Sequence, residues 1–65
     1  MPADLEYIRH QAKRARTTHI RCNKEHFLWR ILSNSSEPNL SHDGSLTPSQ
    51  WAKAQSIADQ VLSDA

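Results

Sequence analysis

The sequence predicts a small all-α domain. Three observations lead there. The first 33 residues contain no Gly and no Pro beyond Pro2. Their apolar residues recur at alternating spacings of three and four, the period of a helix face. Further on, the stretch LTPSQW, residues 46–51, carries a helix-start signal and opens a second striped run.

The first helical segment spans residues 3–33 and is rich in Ala, Leu, Arg, Lys, Gln and Glu, all good helix formers. Leu5, Ile8, Ala12, Ala15, His19, Cys22, His26 and Trp29 make one heptad-like seam along it. Ile20, Phe27, Leu28, Ile31 and Leu32 make a second apolar set on the other side of the wheel. Thr17-Thr18, a β-branched pair, stands where the second set begins. Either one helix rotates its contacts, or two helices meet at that pair. The Thr pair favours two pieces, over 3–16 and 19–33.

Residues 34–46 hold Pro38, the only Gly (Gly44) and a cluster of Ser, Asn and Asp, so they predict a polar loop, with Leu40 available to pin it to the core. The last helix is predicted over 48–63. Thr47 suits the cap, Pro48 the first helical position, and Gln50 completes a capping box. Leu46 and Trp51 occupy the two positions of a hydrophobic staple. Trp51, Ala54, Ile57, Ala58, Val61 and Leu62 then form one apolar face, and the amphipathic helix packs back on the first segment.

The chain has 65 residues, 37% of them hydrophobic and four aromatic: Tyr7, Phe27, Trp29 and Trp51. A domain this small is marginally stable alone, and its core is thin. Cys22 has no second cysteine to pair with. No signal-like apolar run opens the sequence, and no stretch approaches a membrane span. A reducing, cytoplasmic setting without membrane contact is the expectation. The net charge of +1 hides an asymmetry. Residues 1–33 carry seven basic against three acidic side chains, and residues 34–65 one basic against four acidic. The halves attract each other, or show different faces to different partners.

The stretch HIRCNKEHFLWRIL, residues 19–32, is the one place where metal chemistry has to be weighed. His19, Cys22 and His26 share a helix face, with His42 or His10 as distant further ligands. Three ligands from one straight helix strain a tetrahedral zinc site, and no paired knuckle spacing accompanies them. The expectation is no metal and no cofactor, with Cys22 packed as a small apolar residue. No Gly-rich phosphate loop, nucleophile elbow or zinc-protease motif occurs, so the chain is expected not to be an enzyme.

What remains is binding. The expected function is a small regulatory or adaptor protein that docks on another protein through an apolar helix surface. Phe27, Trp29, Arg30, Ile31 and Trp51 are the candidate contacts, because Trp and Arg dominate binding hot spots. Arg14, Arg16 and Arg21 are the candidate steering charges. A homodimer or obligate partner contact follows from two apolar stripes that one short helix covers only in part. The alternative is a nucleic-acid-binding regulator that uses the same basic helix, although a pI of about 8.0 is low for that class.

Overall fold

The computed structural model describes residues 4–35 and 37–63. It contains three helices: α1 over Leu5–Thr17, α2 over Arg21–Asn34 and α3 over Pro48–Ser63. Each packs against the other two, and the described residues include no strand. The all-α class predicted from periodicity is the class observed.

The first segment is two helices, and the break has a local cause. Thr17 Oγ1 turns back to donate to the carbonyls of Lys13 and Arg14. Thr18 is extended, with ψ of 140°. Ile20 is extended too, with ψ of 119°. The second helix therefore starts at Arg21, two residues later than predicted, and runs one residue further, through Asn34. The break also resets the phase of the helical wheel, which corrects the continuous seam. Ile8, Ala12 and Ala15 are buried, but His19, Cys22 and His26 are exposed. Cys22 is thus a surface thiol and not the buried apolar residue expected. Leu5, assigned to the same seam, is 60% exposed.

The core consists of Ile8, Ala12, Ala15, Leu28, Ile31, Leu32, Ala54 and Ala58. Half of these are alanine, which lets the helices approach closely without large side chains between them. Phe27, Leu40, Leu46, Trp51, Ile57, Val61 and Leu62 pack around it. The molecule is 16 Å across its thinnest direction, less than two helix diameters. Gln11, a polar residue outside the predicted seam, is 4% exposed.

Caps hold the ends. Asp4 accepts from the Tyr7 amide at the start of α1, and its own N–H donates to Asn34 Oδ1 at the end of α2. At α3 the predicted capping box is formed in both directions. The Gln50 amide donates to Thr47 Oγ1 at 3.1 Å, and the Thr47 amide donates to Gln50 Oε1 at 3.0 Å.

The loop between α2 and α3 is long for so small a protein, yet side chains satisfy much of its backbone. The Trp29 indole N–H donates to the Ser41 carbonyl at 2.7 Å. Glu25 accepts from the Leu46 amide, and Gln50 donates to the Asn39 carbonyl. Lys53 of α3 pairs with Glu37 at 2.9 Å. Gly44 has a positive φ, 87°, a conformation that favours glycine.

Candidate docking surface

The eight residues selected from the sequence separate into distinct places. Ile31 has no solvent exposure. It is a core residue, and its assignment as a partner contact is corrected: no partner reaches it while the helices stay packed. Phe27 is half-buried against the same core. Trp29 is half-buried, and its indole N–H is committed to the loop carbonyl of Ser41. Arg30 lines a separate hollow with Tyr7, Trp29 and Asn34. Arg14 is exposed and donates to His10 Nε2 within its own helix.

Arg16, Arg21 and Trp51 do come onto one face. The Arg21 guanidinium lies 4.8 Å from the centre of a Trp51 ring, a cation–π contact. Trp51 is itself half-buried and packed against the core, so a rigid aromatic floor meets a cation from α2. Around the pair is a hollow of about 360 Å³, lined also by Leu46, Pro48, Ala52 and Gln55. Gln55 in turn borders a second hollow of about 190 Å³, where Arg16, Lys24 and Asp59 rim a floor that includes Ala15 and Leu28. The two hollows adjoin at Gln55 and are together termed the α3 groove.

The charge on this groove is uneven. Arg16 pairs with Asp59 at 3.2 Å. Both side chains are well over half exposed, so the pair is weak and open to exchange. Arg21 and Lys24 enter no ion pair among the described residues. Next to Arg21 in the chain, Ile20 is 58% exposed, one of two large apolar side chains exposed among the described residues.

The predicted steering arginines therefore cover part of this face, and the predicted apolar contacts supply only Trp51. Lys24, Gln55 and Ile20 were missed. A signal for the α3 side existed: Trp51, Gln55, Asp59 and Leu62 follow one another at helical spacing along the border of the apolar face. Nothing in the sequence said which part of α2 would lie beside that border.

Among the described residues no group of three or more His, Cys, Asp or Glu side chains is placed to hold a metal ion. Among them, too, no helix is long and apolar enough to cross a membrane. The chain matches no protein-family model, no curated protein and no solved structure.

Proposed function

We propose that this is a small, non-catalytic regulatory or adaptor protein that docks on another protein through the α2–α3 face. The observation that carries the reading is the Arg21–Trp51 contact in a hollow on α3, with exposed Ile20 next to Arg21 in the chain. A half-buried tryptophan held by packing offers a large contact at low entropic cost, and an arginine over it adds direction. In this reading the contact is at Ile20, Arg21 and Trp51, in place of the buried Ile31. The exposed thiol of Cys22 is stable in a reducing compartment, so a cytoplasmic setting goes with this reading.

Cys22 is also the means of testing it. As the only cysteine, one position from Arg21, it accepts a thiol-reactive photo-crosslinker at the edge of the groove. In extract of the source organism, a discrete protein adduct is expected from Cys22. The adduct should disappear with Ile20→Glu and survive nuclease treatment. A control label at Ser33→Cys in a Cys22→Ser background should give none. The same adducts from both positions would end the reading.

A second reading rests on a separate observation. Arg21 and Lys24 stand at the start of α2, which has no side-chain cap and no acid in its first turn. With Arg14 and Arg16 in the last turn of α1, they make a basic corner that suits a nucleic-acid phosphate backbone. Binding of that kind weakens steeply with salt, whereas an apolar docking contact is much less affected.

A further inference from the structure

We infer that the α3 groove takes a short acidic segment of a partner protein, anchored by an apolar side chain. The inference rests on the docking reading above and adds the chemistry of the occupant.

The floor and the rim ask for different things. Ala12, Ala15, Leu28 and Ala58 lie at the bottom of the groove and are buried, so the apolar surface within reach comes from Leu62, Trp51 and Ala52. Such a floor favours an apolar side chain. The rim carries Arg16, Arg21 and Lys24 against one acid, Asp59, which pairs with Arg16. Two cations are thus left for carboxylates brought by a partner.

Local helix chemistry makes this charge more telling. The positive end of a helix dipole favours acidic side chains and disfavours basic ones. α2 opens with Arg21 and Lys24, has no acid in its first turn, and is capped by Ile20, which has no side-chain acceptor. Arg21 is held there over Trp51, while Lys24 has no ion-pair partner among the described residues. A partner carboxylate placed there meets the guanidinium, the ammonium and the dipole together.

The same features select among occupants. A second copy offers no run of acids: Glu37 is paired with Lys53, Asp59 with Arg16, and Asp43 is held by Ser41 and Ser45. A nucleic acid would gain from the cations but would find an apolar floor and an aspartate on the rim, in a chain of net charge +1. From Pro48 to Leu62 the lining residues of the two hollows span roughly 20 Å of α3. An extended segment of about six residues spans that length.

Selection of short random peptides displayed on phage against the whole chain tests the inference. Enriched peptides are expected to carry several Asp or Glu around one Leu, Phe or Trp. Their affinity, measured as synthetic peptides, should fall about tenfold or more with Arg21→Glu combined with Lys24→Glu. These substitutions place acids at the start of α2, where the dipole favours them, so circular dichroism should stay unchanged. The milder Arg21→Gln should give a smaller loss in the same direction. Enrichment without acidic bias, or affinity indifferent to these variants, would sink the acidic occupant and leave the docking reading standing. No enrichment at all would remove both. Tighter binding of a single-stranded oligothymidylate, lost with the same variants, would make phosphate the occupant and overturn the inference.

Discussion

Asp43 shows how much one exposed side chain organises. Its Oδ1 accepts from the hydroxyls of Ser41 and Ser45 and from the Ser45 amide. The Ser45 hydroxyl, then the Ser45 amide and the Ser41 hydroxyl, lower its pKa from 3.8 to about 2. The folded value lies below the unfolded one, so its contribution is fully present above 3.8 and is lost as pH falls through about 2. The Ser45 amide resonance should therefore titrate with a midpoint near 2, and Asp43→Asn should abolish that titration. A midpoint at the ordinary carboxylate value would show that the turn does not hold in solution. Thr47 makes a similar point at the start of α3, where its hydroxyl accepts from the Gln50 amide. Thr47→Ala should destabilise the protein by about 0.5–2 kcal/mol. Urea unfolding checks this: the midpoint should fall while the slope stays constant, and an unchanged midpoint would argue against the cap.

The helices differ in what secures them. α1 has an acidic cap in Asp4 and basic residues in its last turn, an arrangement that its dipole favours. α2 has neither device and depends on burial of Leu28, Ile31 and Leu32. Ile31 is the sharpest probe of that dependence, because it is wholly enclosed. A carboxylate there has no water and no partner, a combination that costs several kcal/mol. Ile31→Glu should abolish the cooperative thermal transition seen by circular dichroism, whereas Lys13→Glu, at an exposed position of α1, should leave it in place. A folded Ile31→Glu protein would mean that α2 does not pack as described.

The molecule as a whole covers most of what two apolar stripes left open to question. α3 lies against both α1 and α2, and among the described residues the large apolar side chains still exposed are Leu5 and Ile20. Two exposed apolar side chains are a small anchor for a stable homodimer, which needs about 800 Å² on each partner. Sedimentation equilibrium should show a monomer over the micromolar range. A dimer that is lost with Ile20→Glu would make a second copy of the chain the occupant of this face.

Local chemistry determined the helices. The alternating spacings, the Thr17-Thr18 pair and the capping box around Thr47 each act within a few residues, so they were legible in the sequence to within one or two positions. The loop was legible as a loop, but its anchoring by Trp29, Glu25 and Gln50 was not, because those bonds join separate segments. Tertiary packing alone decided which apolar set is core. The extended residues between α1 and α2 turn one helix relative to the other, exposing His19, Cys22 and His26 and burying Ile31. No periodicity taken through the break carries that rotation. Packing also brought Arg21 onto Trp51: helix geometry specifies neighbours three and four residues apart, whereas a contact across helices depends on how three surfaces close over one shared core.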